Sequence, residues 1–215
     1  MAAPERTTRG RSSQAGFSLI EILVALLILT VGLLGLAGMQ AVAQRSEVES
    51  YQRAQAMVLM NDILDRINAN RKAAACYAIT TDFTNGVPYV GTSGSGQYST
   101  GGYSCPSLAS NPNAASRAGI DLQLIEQAML GASETLGSAS VGALLGARAC
   151  IGFDSAAQAY TVAIAWQGQS QTFSPASWAA GNNPAVARNC ALNLYGTDTQ
   201  RRVIWTTLMV ASLSS

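Results

Sequence analysis

The sequence predicts an α+β protein: a long N-terminal helix with a membrane-spanning first half, packed under a small antiparallel sheet whose loops are closed by disulfides. Three observations carry this. Phe17 to Met39 holds a single charge, Glu21. No proline falls between Phe17 and Val87, and residues that favour helix continue to Asn70. The alternating patterns that mark strands lie late in the chain, and the four cysteines all follow residue 70.

The first element is the apolar run itself. As a helix, Phe17–Met39 is about 35 Å long, enough for a hydrocarbon core of about 30 Å. Beyond it Val48, Tyr51, Val58, Met60, Ile63, Leu64 and Ile67 recur near helical spacing. Glu47, Glu49, Arg53, Asp62, Asp65 and Arg66 supply the wet face. One helix over residues 17–70 is expected, ending at Asn68-Ala69-Asn70. Gly32, Gly35 and Gly38 stand at intervals of three in the apolar run. Small residues allow close helix approach in a membrane and also weaken a helix, by about 1 kcal/mol each in water.

Residues 71–113 are loop-rich, with Val87-Pro88-Tyr89-Val90 as a short edge strand. The glycines of residues 91–96 and Gly101-Gly102 are flexible linkage; a phosphate-binding loop would need Gly-Lys-Ser/Thr after them, and there is none. Asn113 is placed to cap a second helix over 115–130, with Ile120, Leu124, Ile125 and Met129 inward. A short helical segment follows over Ser138–Leu145. Ala147–Phe153 reads as a strand, Asp154–Ala157 as a turn, and Tyr160–Gln167 as a strand with Tyr160, Val162, Ile164 and Trp166 on one face. Gly168–Asn193 is a loop. Arg202–Val210 is a strand, central or well covered, because Ile204, Leu208 and Val210 oppose Val203, Trp205, Thr207 and Met209.

Glu21 is the residue that asks for a function. A carboxylate one turn inside an apolar span costs about 2.5–3.5 kcal/mol on insertion scales. The simplest structural alternative is a plain signal anchor whose acid reaches back to the headgroups. Ahead of the span, Arg6, Arg9 and Arg11 oppose one acid, Glu5, and hold that end in the cytoplasm. Residues 40–215 then lie across the membrane. Ala41-Val42-Ala43 resembles a signal-peptidase site, but the apolar region before it is about twice the usual length.

A short basic leader, a glycine, then Phe17-Ser18-Leu19-Ile20-Glu21 and a long apolar helix resembles the class III signal of type IV pilins and of type II secretion pseudopilins. The resemblance implies a pilin-like fold. It implies that a prepilin peptidase cuts after Gly16 and methylates Phe17, and that Glu21 serves assembly by pairing with a neighbouring subunit's N-terminal amine. Such a pairing is physically sound, since a buried carboxylate needs a cation and a helix N-terminus favours negative charge. The expected organisation is 1–16 cleaved leader, 17–39 membrane or filament-core helix, 40–70 amphipathic helix and 71–215 periplasmic head. Many major pilins carry proline where Gly38 stands. Leu23–Leu36, Asp65–Arg71, Ala163–Gly168 and Arg201-Arg202-Val203 resemble the minor pilin called the type IV pilus modification protein, PilV. That implies other minor and major pilins and the inner-membrane assembly machinery as partners. It also implies a final place in the pilus at the cell surface and a part in adhesion and twitching motility.

The formal charge is +1, and removing residues 1–16 takes away three Arg and one Glu, leaving −1. That is no electrostatic footprint for nucleic acid, and no direct nucleic-acid partner is expected. On the oxidising side Cys76, Cys105, Cys150 and Cys190 suit disulfides, and four cysteines allow three connectivities. Cys76–Cys105 and Cys150–Cys190 are favoured because each closes a loop within one segment. With no His and cysteines far from C-x-x-C spacing, neither a metal nor a cofactor is expected. The absence of His also removes Ser-His-Asp and Cys-His catalysis, and the one lysine, Lys72, leaves a Ser-Lys dyad remote. Asp121, Glu126, Glu134, Asp154 and Asp198 are scattered acids expected to be solvated or in turns. Trp166, Trp178 and Trp205 are expected in the core rather than as a sugar platform. No enzyme is expected; a single-span anchored enzyme or binding domain is the rival of a different class.

Overall fold

Helix α1 runs over Leu19–Ala69, opened by the Ser18 carbonyl, which accepts from the Glu21 and Ile22 amides. The structure is a computed structural model and describes residues 16–94, 98, 103, 105, 111–132, 135–137, 139, 140, 142 and 144–210. Residues 1–15 of the expected leader 1–16, together with Ser95, Gly96, Gly101, Gly102 and Glu134, lie outside the described residues. The chain divides into two units between Ser46 and Glu47.

In the first unit every described side chain is exposed. The helix is long and apolar enough to cross a membrane, with a mean hydropathy of 2.7 over its best window and none of that window buried. A Cβ added at Gly32, Gly35 or Gly38 would meet nothing.

In the second unit the rest of α1 buries Ala56, Ile63 and Ile67, with Leu59, Met60 and Leu64 partly covered beside them. This is one stripe at helical spacing. It corrects the expected face: Val48, Tyr51 and Val58 are exposed. They share the helical period but stand one position round from the stripe that meets the sheet. The helix stops at Asn70, whose side chain donates to Tyr77 Oη (3.2 Å) and the Ala114 carbonyl (2.9 Å). After a 3₁₀ turn, Arg71–Ala73, comes the short α2, Ala74–Tyr77.

The main sheet has the order β1-β4-β5-β6 and is antiparallel throughout: β1 is Val90–Gly91, β4 Arg148–Asp154, β5 Ala159–Gln167 and β6 Arg201–Met209. The turn between β4 and β5 forms because Asp154 Oδ1 accepts from the Ala156 and Ala157 amides. The central strand is β5, buried almost throughout; β6 is an edge strand, yet partly covered on both faces. One face of the sheet, with Ile151, Val162, Ile164 and Trp166, joins α1 and helix α3, Pro112–Met129. The other, with Cys150, Ala163 and Ala165, is covered by Val186 and Ala187 of helix α4, Ala185–Asn189, and by Cys190 and Tyr195. Helix α4 lies in what the sequence reads as plain loop; five residues are too few to show a period.

Helix α3 spans Pro112–Met129. Its cap is Asn111, which accepts from the Ala114 amide at 3.3 Å, not Asn113. Pro112 fixes this: its preset φ and missing N–H suit the first helical position, so the cap is the residue before it. Ile125 and Met129 point inward, while Ile120 and Leu124 are exposed and Leu122 and Ala118 take their place. The helix expected over Ser138–Leu145 is absent among the described residues. A two-stranded hairpin, β2 (Thr135–Leu136) with β3 (Ala139–Ser140), occupies its start. Gly137 at φ +64°, a conformation costly to other residues, permits the turn.

Candidate functional site

At the N-terminus the geometry is simple. Ser18 supplies the capping carbonyl, and Glu21 lies in the first turn of α1. Glu21 is exposed and makes no ion pair among the described residues. Gly16 and Phe17 precede the helix, with Phe17 80% exposed. An acid at this position also meets the partial positive charge of the helix end.

The second unit is held by polar clusters that the sequence does not announce. Asp121, read as a solvated acid, is 2% exposed. It accepts from Tyr77 Oη (2.5 Å), Arg66 Nη1 (3.1 Å) and Arg117 Nε (3.4 Å). Arg66 also donates to Asp62 at 2.8 Å. With Asn70, this accounts for much of the 65–71 stretch: it seats α3 and α2 on α1. Burial and the carboxylate beside it push the Tyr77 hydroxyl well above its usual range. Glu126 is buried as well, at 3% exposed, near enough to Tyr98 to add to the effect of burial that pushes that phenol up to about 12. Asp154 remains a turn residue, as the sequence implies.

Glu49, on α1, accepts at Oε1 from Arg202 Nη2 (3.0 Å), Ser170 Oγ (2.9 Å) and the Ser170 amide (3.3 Å). Burial pushes its carboxyl up, but these bonds and the Arg202 charge outweigh it, and the net direction is down. Gly168 belongs to this fastening, because a Cβ there would meet Arg202 Cζ at 2.6 Å.

The disulfides are Cys76–Cys105 and Cys150–Cys190. The second ties β4 to the end of α4. Arg201, 1% exposed, lies beneath it. Its Nη1 donates to the Cys190 carbonyl (2.9 Å), Nη2 to the Arg188 carbonyl (2.7 Å) and Nε to Asp198 Oδ1 (2.6 Å). Asp198 also accepts from Ser174 Oγ and, at 3.4 Å, the Ala176 amide. Burial raises the Asp198 carboxyl, and the Arg201 and Ser174 bonds more than reverse it. Against the same layer, Gly86 at φ +65° brings the 82–87 turn onto the backbone of Asn189 and Cys190. Arg148 stacks between the Tyr89 and Tyr195 rings, at 5.5 and 4.8 Å. Burial is the main reason the Tyr195 phenol is pushed up to about 12.

Of the tryptophans, Trp166 is in the core, whereas Trp178 and Trp205 are only half-buried, which corrects the expectation for those two. Trp205 pairs across from Ala163 on the outer face of the edge strand, where the covering layer ends. Among the described residues no group of three or more His, Cys, Asp or Glu is placed to hold a metal.

Residues 11–37 match the prokaryotic N-terminal methylation motif. No curated protein and no solved structure matches the chain. The chain thus carries the prepilin signal of the type IV pilin-like class, which includes pseudopilins. The signal implies processing by prepilin peptidase and handling by pilin assembly machinery, and it suggests a structural subunit rather than an enzyme. The long apolar helix, small antiparallel sheet and two disulfides fit a pilin-like α+β fold, and the single apolar helix fits membrane anchoring.

Proposed function

We propose that this protein is a minor type IV pilin of the PilV kind, a low-abundance subunit that primes or modifies pilus assembly and so supports adhesion and twitching motility. In this reading residues 1–16 are removed, Phe17 is methylated, and the head waits in the periplasm on its helix until it joins other pilins at the cell surface. The observation that carries it is the pairing of the methylation motif with an acid in the first turn of a helix whose large apolar side chains from Leu19 to Val42 are exposed. A partner must supply both the cation and the cover. Glu21 sets register against a neighbour's amine, helix burial drives packing, and the disulfide-closed head selects neighbours. A type II secretion pseudopilin shares the motif; loss of secretion with intact piliation in a deletion strain would favour it.

Mass spectrometry of the protein from cells with active prepilin peptidase tests the reading. It expects a chain beginning with methyl-Phe17; a chain beginning at Met1 or Gln44 refutes it. Glu21→Ala is expected to leave the protein in the membrane and abolish its recovery in sheared pili. Normal incorporation of that variant would remove the assigned role of the acid.

A further inference from the structure

The head carries an open aromatic cleft. Phe173, Ser177, Trp178, Ala179, Asn183 and Trp205 line an open hollow of about 470 Å³. Phe173 is 69% exposed, and both tryptophans are half-buried. In a head that buries Tyr77, Tyr160 and Trp166, three aromatic rings gathered at one open site ask for an occupant.

The chemistry of the lining narrows that occupant. None of the six residues is charged, so the lining offers no counter-ion to a phosphate or a carboxylate, and without a carboxylate among them a cation would gain only an exposed cation–π contact of about 0.5–1 kcal/mol. Among the described residues neither indole N–H donates to an acceptor, and the Ser177 hydroxyl makes no hydrogen bond. The Asn183 amide donates to the Ala179 carbonyl at 3.0 Å, and its side-chain oxygen has no donor among the described residues. Flat π-faces with donors and acceptors at their rims complement a pyranose ring, which presents C–H groups on its faces and hydroxyls around its edge. The volume falls within the range of small-molecule sites and suits one or two rings.

The cleft is also held in shape. Trp205 sits on β6, while Trp178 follows a 3₁₀ turn, Pro175–Ser177, whose backbone bonds to its own amide at 3.1 Å. The approach to that turn is anchored by Thr172 N–H to the Thr199 carbonyl (2.8 Å), by Arg202 to Thr172 Oγ1 (2.8 Å) and by Ser174 to Asp198. A loop tied at so many points spends little ordering entropy when a ligand arrives. We propose that this cleft is a binding site for neutral oligosaccharide, one or two pyranose rings stacking on Trp178 and Trp205 with hydroxyls bonded to the indole N–H groups, Ser177 and Asn183.

The test uses the full chain in a detergent without sugar headgroups. Cellotetraose, chitotetraose and xylotetraose are titrated, read by tryptophan fluorescence and by saturation transfer from protein to ligand. At least one of them is expected to saturate. Trp178→Ala and Trp205→Ala are each expected to weaken it about tenfold or more. Trp178→Phe should keep most of the affinity, and Trp166→Phe, in the core, should leave it unchanged while showing that the signal comes from the cleft. Near-UV dichroism and an unchanged urea midpoint certify the fold of each variant. Failure of all three sugars to bind up to about 10 mM, or binding untouched in correctly folded Trp178→Ala and Trp205→Ala, overturns the proposal. So does protection of the two indoles that appears only on self-association, which would give the cleft to a second copy. None of these results bears on the processing of Phe17.

Discussion

Arg201 offers the sharpest test of how the head is held. Its side chain is fully buried, and its three bonds run to the Asp198 carboxylate and to the carbonyls of Arg188 and Cys190. Arg201→Ala removes the cation and leaves the anion with Ser174 and one weak amide contact. Breaking a buried pair by removing one partner costs about 3–5 kcal/mol. Asp198 is 16% exposed and can recover some water, so about 4 kcal/mol is the reasonable figure. That is a large share of the 5–15 kcal/mol typical of a domain. Arg201→Lys keeps the charge but loses the fork, and should cost about 2 kcal/mol. The assay is equilibrium urea unfolding of the oxidised protein in detergent, followed by fluorescence of the three tryptophans, all of which lie in the head. A second arm removes the Cys150–Cys190 bond, whose loop spans 40 residues and whose loss costs about 4 kcal/mol on chain-entropy grounds. Both devices pin the same turn, so the triple variant should lose about 1 kcal/mol less than the separate losses combined. A change under about 1 kcal/mol for Arg201→Ala would refute the reasoning, because it would mean that the buried pair carries no net stability.

Two further outcomes follow from the same layer. Gly86→Ala forces a Cβ to 1.9 Å from the Asn189 carbonyl oxygen at a left-handed φ, and should destabilise by more than about 3 kcal/mol; protease digestion of the 82–87 turn and a lowered urea midpoint report it. The Asp198 carboxyl is lowered on folding, so its contribution is complete above the unfolded value near pH 4 and is lost as pH falls through the lower folded value; stability measured from about pH 6 down to 2 should fall, and fall less steeply in Arg201→Ala.

Periodicity made the main architecture legible. A run without proline gives α1, and alternation gives β4, β5 and β6 with Tyr160, Val162, Ile164 and Trp166 on the helix-facing side. Alternation tells which residues share a face, not whether that face will be covered, which is why Trp205 emerged half-buried. The acids resist reading for another reason. Asp121 meets Arg66 across 55 positions and Glu49 meets Arg202 across 153, and no local pattern registers such distances. The α3 cap was readable: Pro112 marks the first helical position and so selects Asn111. At the N-terminus the reverse holds, for a six-residue signature carries nearly all the meaning and the fold adds little to it.

The bareness of the leading helix has a thermodynamic corollary. Sixteen large apolar side chains between Phe17 and Val42 stand half or more uncovered. At about 1 kcal/mol for each, wetting them would cost on the order of 15–20 kcal/mol, as much as or more than what keeps a typical domain folded. The chain's residence is therefore decided by its surroundings and not by its own architecture. A helix of this kind lodged in lipid would leave it only for another apolar surrounding of comparable depth.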